Sequence, residues 1–79
     1  MYKIYGRIDC NYCKNAIVLL QSRGLSFVYF SLDDNDEVFE QLKNEKKWKT
    51  VPMIFFTQEN QEEVFVGGYD NLANHLRNQ

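Results

Sequence analysis

The chain has 79 residues, 44% hydrophobic, 25% charged and 15% aromatic. This length is about half that of a typical domain, which excludes a multidomain enzyme, and the aromatic share is too high for a disordered chain. Nine basic against eleven acidic residues leave a net charge of -2, so no global field draws in a nucleic-acid backbone or an anionic membrane.

The first element is a β-prone run at residues 2–5 that ends at Gly6. Cys13, Ala16, Ile17 and Leu20 fall at i, i+3, i+4 and i+7, one face of a helix, and Gly24 follows Arg23 as a C-terminal stop. A second strand is predicted over residues 25–32, rich in Phe27, Val28, Tyr29 and Phe30, and the strand, helix, strand order makes a right-handed βαβ unit. Residues 33–37 place four carboxylates before and within the first turn of another helix. Its Val38, Phe39 and Leu42 face inward and Lys43, Lys46 and Lys47 lie near its end, so acid first and base last complements the helix dipole. Residues 53–57 and 63–66, separated by a polar stretch, predict an antiparallel hairpin. Gly67-Gly68 breaks the chain, and residues 71–77, with Leu72, Ala73 and Leu76, predict a short last helix. The order βαβαββα implies an α/β fold, a four-stranded mixed sheet flanked by helices, in a single domain over residues 1–79. The longest apolar stretch, residues 16–20, is far short of the ~20 residues of a membrane span, and the opening residues lack a secretion signal. A cytoplasmic location is the expectation.

The two cysteines, Cys10 and Cys13, are three apart. In a reducing compartment such a pair is more often catalytic or metal-binding than a structural staple. Cys10 falls at the N-cap of the first helix, where its sulfur can accept from the backbone N–H of Tyr12 or Cys13, which favours the thiolate. A free thiol has a pKa near ~8.5, and the helix dipole supplies little more than about one unit of depression. A larger shift needs the N–H bonds, the cations Arg7 and Lys14 and the Cys13 thiol, against the opposing charge of Asp9. Cys13, one turn in and on the inward side, is expected to be less exposed. The roles follow: Cys10 attacks a disulfide and Cys13 resolves the mixed disulfide by attacking Cys10. Zinc would need about four ligands, and beyond the pair only His75 is on offer, without ligand spacing to a second donor. A structural disulfide does not suit a chain without a secretion signal, and placement at a helix start after a strand argues against two inert buried thiols.

Tyr5-Gly6-Arg7-Ile8-Asp9-Cys10-Asn11-Tyr12-Cys13, then Thr50-Val51-Pro52, then Gly67-Gly68-Tyr69-Asp70 together resemble the glutaredoxins, small dithiol members of the thioredoxin-fold superfamily. The match spans almost the whole chain, and the family fold is also βαβαββα. The resemblance implies a thiol-disulfide oxidoreductase that uses glutathione as reductant to reduce protein disulfides and mixed disulfides with glutathione. It implies no metal, action as a monomer, and disulfide-bearing protein partners, with ribonucleotide reductase as one acceptor. It also implies a cis Pro52 beside the cysteines. Val51 would offer its N–H and C=O to the cysteinyl unit of glutathione, as a one-residue strand pairing. Gly68, Tyr69 and Asp70 would take the γ-glutamyl end at a helix start. Tyr12 would stack over the site, Thr50 belongs to the same motif, and Arg7, Lys49 or Lys14 would hold the glycyl carboxylate. Trp48 has no place in the motifs and reads as packing or partner surface.

One residue departs from the family pattern. Asn11 stands where dithiol glutaredoxins usually have proline, at a first helical position where proline's fixed φ is favoured. Some relatives without that proline hold an iron-sulfur cluster between two subunits with glutathione as a ligand, which gives one alternative. A redoxin of similar shape fed by thioredoxin reductase gives another.

Overall fold

A computed structural model describes residues 1–78. The elements run β1 (Tyr2–Gly6), α1 (Asn11–Ser22), β2 (Phe27–Ser31), α2 (Asp36–Lys46), β3 (Met53–Phe56), β4 (Val64–Gly67) and α3 (Tyr69–Arg77). The sheet order is β2-β1-β3-β4. β1 and β2 are parallel, as the α1 crossover requires, with Ile4 opposite Tyr29 and Gly6 opposite Ser31. β1 and β3 are antiparallel, with Ile4 opposite Ile54, and β4 closes the sheet antiparallel to β3 through an irregularity between Ile54 and Phe55. This is the mixed four-stranded α/β architecture expected from the sequence.

Strand alternation sends Tyr2, Ile4 and Ile54 to one face, where they pack on Ala16 and Leu20 of α1 and Leu72 and Leu76 of α3 to form the core. The other face carries Tyr5, Phe30, Phe55 and Phe65, joined ring to ring: Tyr5 stacks on Phe30 at 5.0 Å and meets Phe55 edge-on at 5.6 Å, and Phe55 lies 5.1 Å from Phe65. α2 covers this second face only in part. Val38, Phe39, Leu42 and Lys43 are its half-buried residues and none is fully buried, because eight of its eleven residues are polar or charged.

Local chemistry sets three boundaries. α2 starts at Asp36, so Asp36 and Glu37 occupy its first turn while Asp33 and Asp34 precede it, Asp34 in a left-handed turn at φ 64°. Gly67 does not interrupt the chain but ends β4, paired with Ile54. α3 begins at Tyr69, two residues before the predicted start, because Asn71 acts at its third position: Asn71 Oδ1 accepts the Gly68 N–H at 3.1 Å and so caps the helix from inside.

Candidate active site

β1 ends at Gly6, close against the start of α1. A Cβ on Gly6 would meet the Tyr29 hydroxyl and would lie 2.7 Å from Cys13 Sγ, so the approach of strand to helix leaves no room for a side chain. Four residues later Cys10 takes the N-cap position with an extended backbone, φ -145° and ψ 108°. Its Sγ accepts the Cys13 N–H at 3.1 Å, and its carbonyl accepts the Lys14 N–H at 3.1 Å. The sulfur thus fills the place that an oxygen fills at most N-caps. Cys13 is fully buried, whereas Cys10 is half-buried at the surface. The two are joined in a disulfide with their Cα atoms 5.2 Å apart, which is the oxidised form of the pair. Such a disulfide takes up two electrons and two protons to give two thiols, and returns them when it re-forms.

Next to Tyr12, which stands between the two cysteines in sequence, the segment before β3 and the start of α3 face each other. Val51-Pro52 is a cis peptide, and Val51 stands just outside the β3 ladder, which begins at Met53. Tyr12, Trp48, Thr50, Val51, Pro52, Gly68, Tyr69, Asp70 and Asn71 line a cavity of about 360 Å³. Tyr12 is 61% exposed and its ring lies 6.3 Å from that of Tyr69, so these two rings form the outer lip. The first N–H groups of α3 have no partner within the helix, which gives this side of the cavity an attraction for a carboxylate.

Seven of the residues expected around the substrate, Tyr12, Thr50, Val51, Pro52, Gly68, Tyr69 and Asp70, come together in this one cavity. The three candidate cations do not. Arg7 turns the other way: Nη1 lies 3.8 Å from Asp33 Oδ1 and donates to the Leu32 carbonyl at 3.4 Å, Nη2 lies 3.8 Å from Asp36 Oδ1, and the guanidinium rests 4.9 Å above the Phe39 ring. Lys49 lines a neighbouring cavity of about 530 Å³ with Lys43, Asn44, Lys47 and Trp48. Lys14 is exposed on α1. Trp48 and Asn71 are the lining residues that the motifs did not offer. Trp48 forms a wall of both cavities, and its place two residues before Thr50 is a sequence signal that points it to the site. Among the described residues, no group of three or more His, Cys, Asp or Glu side chains gathers as a metal site, and no helix is long and apolar enough to cross a membrane.

The loop from Arg7 to Asp9 is held from β2 and the turn after it. Tyr29 donates its hydroxyl to the Arg7 carbonyl at 2.8 Å, and burial together with the nearby Asp33 charge raises the Tyr29 pKa, so the phenol stays a neutral donor. Asp33 Oδ2 accepts the Ile8 N–H at 2.7 Å and the Ser31 hydroxyl at 2.8 Å. These two bonds, helped by Arg7, hold the Asp33 carboxyl below the usual carboxylate range.

Comparison with known proteins agrees with this geometry. The glutaredoxin family model matches residues 3–60. Glutaredoxin 3 of Escherichia coli (strain K12) is 34% identical over 70 residues, 89% of this chain and 78% of that protein. Among solved structures, a buckwheat glutaredoxin superposes with a TM-score of 0.83 at 21% identity, over 98% of this chain and 68% of that one. The glutaredoxin-like protein NrdH-redoxin from Escherichia coli superposes with a TM-score of 0.71 at 22% identity, over 95% and 92%. With its disulfide pair at the head of α1, its thioredoxin-like sheet and this likeness over most of its length, the chain belongs to the glutaredoxin family and is a thiol-disulfide oxidoreductase.

Proposed function

We propose that the chain reduces protein disulfides and mixed disulfides with glutathione, drawing its electrons from glutathione. In this reading Cys10 is the attacking sulfur. Its thiolate forms a bond to one sulfur of the target disulfide and expels the other as a thiolate, which takes up a proton. Cys13 then attacks Cys10 Sγ, the target leaves as a thiol, and two glutathione molecules return the Cys10–Cys13 disulfide to the dithiol while they become glutathione disulfide. The asymmetry between a surface Cys10 and a buried Cys13 supports this division of labour.

The observation that carries glutathione as the reductant is the cavity between Val51-Pro52 and the Gly68 to Asn71 helix start, which Tyr12, a residue between the two cysteines, also lines. Val51 can pair with an extended peptide, the amides at the start of α3 suit a carboxylate, and the Asp70 carboxylate suits the adjacent ammonium of a γ-glutamyl group. The buckwheat glutaredoxin of the same fold was solved as a complex with glutathione, which supports the reading. We take the chain to act as a cytoplasmic monomer, with ribonucleotide reductase among its acceptors.

One observation favours a second reading. Arg7, committed to Asp33, Asp36 and Phe39, leaves the cavity without a guanidinium, and the NrdH-redoxin that shares the fold has a thioredoxin-like activity profile. A coupled assay decides between the two. Reduction of a mixed disulfide with glutathione, glutathione reductase and NADPH supports the first. Turnover with thioredoxin reductase and none with glutathione establishes the second.

A further inference from the structure

The nucleophile hangs on a three-residue bridge, Arg7-Ile8-Asp9, between the end of β1 and the start of α1. Burial does not hold this bridge in place, since Ile8 is 74% exposed. Hydrogen bonds from one place in the fold, the end of β2 and the turn after it, do so instead. We propose that Asp33 and Tyr29 are positioning residues for Cys10, a clamp that fixes the bridge from behind and so sets the reactivity of the attacking sulfur.

The geometry of the clamp is specific. Leu32 N–H first ties the turn to the Gly6 carbonyl at 2.7 Å. Tyr29 then fixes the carbonyl of Arg7 at 2.8 Å and Asp33 Oδ2 fixes the N–H of Ile8 at 2.7 Å, so both sides of the Arg7–Ile8 peptide are bound. The clamp is itself braced, because Ser31 Oγ donates to Asp33 Oδ2 at 2.8 Å and accepts the Asp33 N–H at 3.3 Å. Two residues beyond Ile8 comes the cap bond from the Cys13 N–H to Cys10 Sγ at 3.1 Å. A hydrogen bond to sulfur favours the thiolate only while the sulfur keeps its place, and a fixed Arg7–Ile8 peptide limits how far Cys10 can drift. Asp33 touches neither sulfur nor the cavity lining; it acts through the bridge.

Charge and position make opposite predictions for Asp33. A carboxylate acting only through its field disfavours a nearby thiolate, so its removal should raise Cys10 reactivity. A carboxylate acting as an anchor favours the thiolate, so its removal should lower it. This inference rests on Cys10 as the attacking sulfur and not on glutathione, so the test uses iodoacetamide. In a Cys13→Ser background, the alkylation rate of Cys10 is followed from pH 5 to 9, which gives its pKa and its rate at high pH. Asp33→Ala should slow alkylation at pH 7 by about tenfold through a pKa raised by about one unit. Asp33→Asn, which keeps an oxygen for Ile8 N–H, should stay within about threefold of the parent, and Tyr29→Phe, which keeps the ring and loses the hydroxyl, should slow the reaction about threefold. Equal rates in all variants overturn the proposal, as does acceleration by both Asp33 substitutions or an equal loss in Asn and Ala. If Asp33→Ala does not fold, Tyr29→Phe decides, and an unchanged pH profile overturns the clamp. A parent protein whose Cys10 fails to alkylate would instead refute the nucleophile reading, which keeps the two failures apart.

Discussion

Gly67→Ala and Gly68→Ala are expected to fail in different assays although the two glycines are adjacent. Gly67 has φ 119°, and a Cβ there would lie 2.7 Å from both Cγ and Oδ1 of Asn71. Alanine must therefore adopt a conformation that costs ~1–2 kcal/mol while pushing aside the side chain that caps α3 from Asn71 to Gly68. With overpacking, the loss is about 2–4 kcal/mol, or a Tm lower by roughly 10–30 °C for a chain of this size. Gly68 has φ -94°, and its Cβ would find Trp48 Cζ2 at 3.5 Å, the Pro52 carbonyl at 3.8 Å and Asn71 Oδ1 at 3.9 Å, all ordinary contacts. Gly68→Ala should stay within about 1 kcal/mol of the parent. Its methyl group, however, adds to the wall of the cavity proposed to take glutathione, and on that reading should raise KM for a glutathione mixed disulfide about tenfold with little change in kcat. Urea titration measures the first effect and the coupled glutathione reductase assay the second. Equal stability loss in the two variants, or a Gly67→Ala that melts with the parent, refutes the reasoning.

Cys10→Ser should abolish turnover, whereas Cys13→Ser should lose reduction of protein disulfides and keep part of its activity on glutathione mixed disulfides, which need only one protein thiol. Full activity in Cys10→Ser sinks the mechanism. Asn11→Pro should stabilise the fold by about 0.4–1 kcal/mol in urea titration, because Asn11 is the first residue of α1 and Cys10 already has the extended backbone that a following proline demands; a lower midpoint counts against it. The Asp33 carboxyl sits below its ordinary range through Ser31, the Ile8 N–H and Arg7. Its contribution to stability is therefore complete above pH ~4, the unfolded value, and is lost as pH falls through the lower folded value. Asp33→Asn should flatten the acid side of the stability curve between about pH 5 and 2, and an unchanged slope there argues against the shift.

The parts of the site that were legible in the sequence depend on neighbours a few residues apart. The N-cap role of Cys10 follows from the spacing of Cys13, Ala16, Ile17 and Leu20, all of which are buried or half-buried as expected. The clustering of Thr50-Val51-Pro52 with Gly68-Tyr69-Asp70 was legible through motifs whose spatial meeting a family fold supplies. What stayed hidden depends on pairing across the fold. Arg7 carries no local mark that it will choose Asp33 and Asp36, which lie beyond a whole βα unit, over the cavity nearer in sequence. The acidic run before α2 reads as helix-start chemistry, yet Asp33 serves the opposite loop. Trp48 has no periodic partner in its own segment; its place is set by Phe65 on β4, 5.3 Å away edge-on.

Trp48 is the chain's single tryptophan. Its indole Nε1 is buried without a hydrogen-bond partner among the described residues, and its ring walls the cavity beside Gly68. Indole emission depends on polarity and hydrogen bonding at that nitrogen, so the fold carries a native fluorophore at the candidate cavity. On the proposed reading, glutathione should change that emission as it binds, with no label attached, and the same signal can be followed through oxidation and reduction of the Cys10–Cys13 pair. A titration in a Cys10→Ser, Cys13→Ser background reads occupancy alone and a redox titration of the parent reads the cysteines, with Trp48→Phe as the control.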